Sequence, residues 1–210
     1  EMGHGTHGMF SKVTYPSLAG TSVSRDFVEF PSTFEEDWAT HPEVLANYAK
    51  HYQTGEVIPE PLLQKLLNSR SFNQGFDTLE YMAAALVDLE WHSLPAEAPL
   101  QDVASFETAA LKKHGVDIAA VPPRYKSSFF AHSFPGGYSA SYYAYMWSEI
   151  LAADAFAYVQ TQGGLNREIG MKYRKTIREV GNSVPPMEAY QSFRGQAPTT
   201  DALLKRRGLN

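Results

Sequence analysis

Apolar residues along this 210-residue chain recur mostly three and four positions apart, the spacing of helices that bury one stripe. Residues 1–10 continue such a pattern and are expected to be the remainder of a helix begun upstream. TYPSLAGTSVSRD, rich in Gly, Ser and Pro, reads as a loop. A helix is expected from about Asp26, carrying FVEF, with Pro31 in its first turn or kinking it. TFEEDWAT and PEVLANYAKHY are short helices parted at His41-Pro42, and Gly55 stops the second. PEPLLQKLLNSRSF opens with prolines that suit a first turn. FDTLEYMAAALVDLEWHSL is a long helix, rich in Ala and Leu and mostly buried.

SFETAALKKHG closes on Gly115, with Lys112, Lys113 and His114 where the helix dipole favours cations. The prolines and the Gly136-Gly137 pair exclude regular helix from VPPRYKSSFFAHSFPGGYS. Strong helical spacing returns in ASYYAYMWSEILAADAFAYVQTQGG, then in REIGMKYRKTIREVG and MEAYQSFRG. Thr199-Thr200-Asp201 offers a cap for a last helix, ALLKRRG. No period-2 strand of any length stands out. The chain is mainly α.

Composition changes this picture little. The net charge is −5 with no long basic run, which argues against nucleic acid or an anionic membrane as partner. RKTIREV and LLKRRGL read as solvated helix faces. No apolar stretch approaches the ~20 residues that span a bilayer. There are no cysteines, so thiolate ligands and disulfides are excluded, which suits a reducing cytoplasm. The opening lacks an initiator Met and a basic-then-apolar leader, and the chain is expected to be a carboxy-terminal piece of something larger.

The chemistry begins in EMGHGTHGMF. A histidine immediately before Glu1 would complete H-E-M-G-H, in which histidines four apart share a helix face and bind one zinc ion. The glutamate between them takes a proton from bound water. A third ligand should come from a separate element, and Glu29 in SRDFVEFPS is the candidate. A carboxylate amid Phe27, Val28 and Phe30 needs a partner. Asp26, one turn earlier, is placed to hydrogen-bond a liganding imidazole. Taken alone, E-x-x-H is common and reads first as an exposed glutamate and an ordinary histidine. His7 reads as a residue that packs or hydrogen-bonds nearby. His41, His51, His92 and His114 show no metal spacing and read as surface or satisfied structural residues.

A second constellation is HSFPGGYSASYYAY. Gly136-Gly137 lets the backbone bend before a helix. Tyr138, Tyr142 and Tyr145 line one face if that helix starts early enough. A phenol is a good neutral donor to the oxyanion of peptide hydrolysis, and His132 can add another hydrogen bond. An aromatic stripe packed in the core is the plainer reading. Of Tyr142 and Tyr143, one is expected to face the core.

GTSVSRDFVEFPS following E-x-G-H-x-x-H resembles the thimet oligopeptidase family of zinc metallopeptidases, and within it the bacterial peptidyl-dipeptidase subgroup. ANYAKHYQTGE, VPPRYKSSFFAHSFPGGYSASYYAYMWSE and the FRGQAP…LLKRRGLN ending carry the same resemblance, which covers essentially the whole chain. It implies the carboxy-terminal part of a helical zincin-like metallopeptidase domain that cuts short peptides. It also implies Glu1 as general base, His4 and Glu29 as zinc ligands, and His132 and Tyr138 as substrate contacts. Tyr145 matches the oxyanion donor. The first zinc histidine has no position here, so the chain alone is expected to bind zinc poorly and hydrolyse nothing. An upstream part of the same polypeptide is the implied partner. Arg194 is a weak candidate for gripping a substrate carboxylate, a surface ion pair being its plainer reading. The alternatives kept are a general oligopeptidase and a non-catalytic helical interaction module.

Overall fold

Helices form where the apolar stripes run and stop where proline or glycine interrupts them. The computed structural model describes residues 1–209. Among them there is no sheet, only isolated bridges at Lys50–Val57 and Ile118–Val121. The helices are α1 (Met2–Phe10), α2 (Arg25–Val28), α3 (Phe30–Glu36), α4 (Pro42–Tyr48), α5 (Glu60–Ser69) and α6 (Gln74–His92). They continue with α7 (Val103–Lys113), α8 (Ala144–Thr161), α9 (Arg167–Tyr173), α10 (Pro186–Arg194) and α11 (Asp201–Arg207). The mainly helical reading of the sequence therefore holds. The chain divides into two compact units: Glu1–Phe72 with Met146 onward, and Asn73–Tyr145.

The first unit is built around Phe27, Phe30 and Phe34, which pack with Leu151 and Val159 of α8, Ile169 and Tyr173 of α9, and Tyr190 and Phe193 of α10. Phe34 stacks on Tyr173 at 4.5 Å, and Phe30 meets Tyr190 edge-on at 5.6 Å. Phe30, Ile177, Tyr190 and Phe193 are fully buried. Each such side chain contributes roughly 1.5–3 kcal/mol, enough to hold short helices that would not persist alone. Two details differ from the spacing. The helix expected from Asp26 is interrupted at Glu29, which ends α2 and precedes α3, with Pro31 in α3's first turn. REIGMKYRKTIREVG is not one regular helix either: α9 passes into a wider π turn over Arg174–Arg178, closed by Glu179 N–H on the Arg174 carbonyl.

The second unit pairs α6 with α7 through Ala83, Val87, Ala110 and Leu111. Asp102 caps α7, accepting from Ser105 N–H at 3.0 Å. The buried Glu107 carboxylate accepts from the Ser127 amide and hydroxyl, and Trp91 Nε1 donates to the same hydroxyl at 2.8 Å. These bonds fix the turn at Ser127–Phe129 that leads into the glycine-containing segment. Helix α8 begins at Ala144, later than the spacing of ASYYAY suggests. Ala140 has a φ of +54°, and the amides of Ala140 and Tyr142 bind the Asp88 carboxylate. A backbone held that way cannot start a helix there.

Candidate active site

In the first unit, α1 lies directly on the backbone of α3, and Gly3 is the reason it can. A Cβ on Gly3 would stand 2.2 Å from the Ser32 nitrogen and 2.5 Å from the Pro31 carbonyl carbon. One residue on, the His4 N–H, in the first turn of α1 where no helical partner exists, donates to Ser32 Oγ at 3.1 Å. Arg178, at the end of the π turn and buried, donates to the Gly3 carbonyl, to Thr6 Oγ1 and to the Glu35 carboxylate. The first turn of α1 is thus tied to α3 by backbone contact, a hydroxyl and a guanidinium.

This places His4 opposite Glu29. His4 Nε2 and Glu29 Oε2 are 3.1 Å apart, both side chains partly buried. Two donor atoms bound to one tetrahedral zinc ion at ordinary lengths stand about 3.4 Å apart, so the pair fits two corners of such a site with little movement. The other ring nitrogen, His4 Nδ1, is buried without a hydrogen-bond partner, so it takes no bond from Asp26. Asp26 lies on α2, and its carbonyl accepts from Ser148 Oγ at 2.9 Å. Glu1 is exposed at the N-terminal cap of α1, its carbonyl accepting from Gly5 N–H. Among the described residues no three His, Asp or Glu side chains gather to hold a metal ion, so the chain supplies a pair and not a complete set. His7 is fully buried, and burial, then Arg178 and His4, lower its pKa to about 4, with a backbone hydrogen bond at Ile177 opposing them. It is held as a neutral ring.

In the second unit, His132, Tyr138, Tyr142 and Tyr145 form one aromatic group. Tyr138 and Tyr145 stack at 5.3 Å, and His132 meets them edge-on at 6.0 and 6.1 Å. Tyr138 does not share a helix face with Tyr145, because α8 starts after it; a turn closed by Tyr138 N–H on the His132 carbonyl brings it there. Gly136 serves that turn, since a Cβ would meet the Ala131 carbonyl oxygen at 2.5 Å, and Gly137 has a φ of +80°. The glycines therefore have a packing purpose that the sequence did not suggest. Tyr142 is the core-facing tyrosine, with Tyr143 exposed. Burial pushes the Tyr142 phenol up to about 12, Tyr125 adding to it and Arg124 opposing. It stays protonated throughout the ordinary pH range.

Arg194, His114 and His51 are already engaged. Arg194 is bound to the buried Asp154 carboxylate at 2.9 Å, and Tyr190 O–H donates to the same group. A guanidinium so engaged is poorly placed to receive a substrate carboxylate, and its ion pair is partly buried rather than superficial. His114 bonds Glu90 at 2.8 Å, and His51 Nδ1 accepts from Thr54 N–H.

The family model described as Peptidase family M3 matches residues 1–209. The chain belongs to peptidase family M3. This M3 chain is 48% identical over 210 residues to the dipeptidyl carboxypeptidase of Escherichia coli, and 46% identical to that of Salmonella typhimurium. It is 37% identical over 212 residues to the Escherichia coli oligopeptidase A. All of the chain is covered in these matches but only 31% of each relative, so it spans about a third of their length.

Two M3 residues that shape the site escaped the sequence. Asp88 and Arg178 sit inside helical patterns as ordinary charges, and only their burial marks them. The one available signal for Asp88 was a carboxylate four residues before His92 on a helix otherwise expected to be buried.

Proposed function

We propose that this chain is part of a zinc-dependent peptidase that releases dipeptides from the carboxy terminus of short peptides. The observation that carries the reading is the 3.1 Å approach of His4 Nε2 to Glu29 Oε2 in a chain of peptidase family M3. The higher identity to relatives called dipeptidyl carboxypeptidase than to those called oligopeptidase A supports the specific reaction. His4 and Glu29 would hold the metal, with a further ligand from the upstream part of the polypeptide. When bound, zinc supplies Lewis acidity that makes a water acidic near neutral pH and polarises the scissile carbonyl.

Glu1 takes the proton from the attacking water and delivers it to the leaving amine. Tyr145, with Tyr138 and His132, donates hydrogen bonds to the oxyanion of the tetrahedral intermediate. A neutral phenol suits that task, because its O–H is a hydrogen-bond donor. Short peptides are the expected partners, and neither nucleic acid nor membrane is. No helix among the described residues is long and apolar enough to cross a membrane. The cytoplasm is the proposed location.

Glu1→Gln in the full-length protein tests the reading. The carboxamide keeps the side chain's shape and removes the base, so zinc content should stay at the wild-type level while kcat falls by roughly 10²–10⁴-fold. Loss of zinc from a folded variant would make Glu1 a ligand instead and sink the assignment.

A further inference from the structure

The glycine-containing segment is not held mainly by its own glycines. Asp88, on α6, is 1% exposed, yet its carboxylate has no lysine or arginine partner among the described contacts. Its Oδ1 accepts from Ala140 N–H at 3.2 Å and its Oδ2 from Tyr142 N–H at 3.0 Å. His92, one turn along α6, approaches Oδ1 with Nδ1 at 2.9 Å, and that nitrogen also meets the Asp88 carbonyl at 2.8 Å. The His92 ring in turn packs on Phe134 at 5.7 Å, and Trp91 meets Phe134 edge-on at 6.4 Å. One end of α6 therefore grips the segment at Phe134, Ala140 and Tyr142, on both sides of Tyr138.

A buried carboxylate is costly unless each oxygen is satisfied. Here the satisfaction comes largely from two backbone amides, those of Ala140 and Tyr142. Ala140 also sits at a positive φ of +54°, which a non-glycine residue adopts only when its surroundings impose it. The Asp88 carboxylate, bonded to that residue's own amide, is what imposes it. Helix α8 is consequently delayed to Ala144, and the delay puts the Tyr138 ring against Tyr145 instead of leaving it upstream on an early first turn.

We propose that Asp88 is a positioning residue for the reaction: its carboxylate, oriented by His92, sets the backbone from which the Tyr138 and Tyr145 hydroxyls are presented. The proposal rests on the reading of those tyrosines as oxyanion donors. Asp88 touches neither substrate nor metal in this role. It converts a charge buried in α6 into a fixed conformation of the next segment. A misplacement of about 1 Å in such donors costs on the order of 100-fold in rate, whereas the substrate's ground-state contacts lose much less.

The test compares Asp88→Asn with Tyr145→Phe in the full-length, zinc-loaded protein. A carboxamide keeps one acceptor and turns the other into a donor that faces an N–H. Hydrogen exchange of peptides covering Ser139–Ala144 should accelerate by at least 10-fold, with zinc content unchanged. Turnover should fall about 10- to 100-fold with KM changed less than threefold, and Asp88→Glu should restore part of the protection because both oxygens accept again. Combined with Tyr145→Phe, Asp88→Asn should cost little more than Tyr145→Phe alone, since a misplaced hydroxyl that is absent cannot be missed twice. Unchanged exchange in Asp88→Asn would overturn the anchoring. Faster exchange with wild-type kcat, alongside a Tyr145→Phe enzyme that has lost turnover, would overturn the link to catalysis. A Tyr145→Phe enzyme of normal kcat would instead remove the donor reading of that tyrosine, and the exchange measurement would then decide Asp88's hold on the segment by itself. If Asp88→Asn does not fold, His92→Gln, which leaves the carboxylate in place, should show the same exchange increase in milder form; protection at the wild-type level would count against the proposal.

Discussion

A fully buried histidine within reach of the Arg178 charge makes stability depend on pH. His7 titrates at about 4 in the folded chain and near 6.5 when unfolded. The unfolded state therefore binds a proton first as pH falls. The stability held by the neutral ring is fully present above pH 6.5 and is lost progressively as pH drops toward 4. The span corresponds to about 3 kcal/mol at most. His7→Phe keeps a ring and removes the titration, so urea melts at pH 7 and pH 4.5 should differ less in the variant than in the wild type. Equal pH dependence in both would remove His7 from the account. His7 also shows what a sequence conceals: its packing was legible, but part of its lowered pKa comes from the charge of Arg178, which lies 171 positions away in sequence.

At the scale of elements, most helices were legible because each carries its apolar stripe and its own punctuation. Pro42, Pro61 and Pro186 sit in first turns, and Gly195 and Gly208 end α10 and α11 in the left-handed region. What was not legible was set by contacts distant in sequence. The late start of α8 needs Asp88, and nothing local in ASYYAY forbids a helix. The π turn at Arg174–Arg178 leaves no mark in the REIGMKYRKTIREVG spacing. The meeting of His4 with Glu29 was expected from the resemblance and from the need for a ligand on a separate element, but its geometric cause is Gly3. Gly3→Ala should push α1 off α3, because the new methyl would lie 2.2 Å from a backbone nitrogen that cannot turn away. The expected cost is at least the 1–3 kcal/mol of ordinary overpacking, with a loss of zinc affinity of about 10-fold or more. Gly8→Ala, on the same helix with open space around it, should leave zinc affinity unchanged and raise stability slightly through helix propensity. Isothermal titration of zinc into the two full-length variants separates them. Similar losses in both would mean that the helix as a whole is fragile, and that the contact at Gly3 is unimportant.

For the whole molecule, the proposed reaction makes a demand that individual residues do not. Releasing a dipeptide from a carboxy terminus requires that the terminus be sensed, and Arg194, bound to Asp154, is not free to do so. The full-length enzyme should cleave a short peptide with a free terminus at least 10-fold faster than its amide. Equal rates measured by product analysis would favour a general oligopeptidase. The order of the chain has a further consequence. The first compact unit is split in sequence, with residues 73–145 between its halves. Arg178 reaches the carbonyl of Gly3 across 175 positions. On a ribosome adding about 5–20 residues each second, α1 waits on the order of ten seconds or longer for the side chain that fastens it. Meanwhile Asn73–Tyr145 has emerged as a contiguous segment with its own small core. Within this chain, the segment made first is thus fastened last, and its Phe27, Phe30 and Phe34 must be kept from other partners until then.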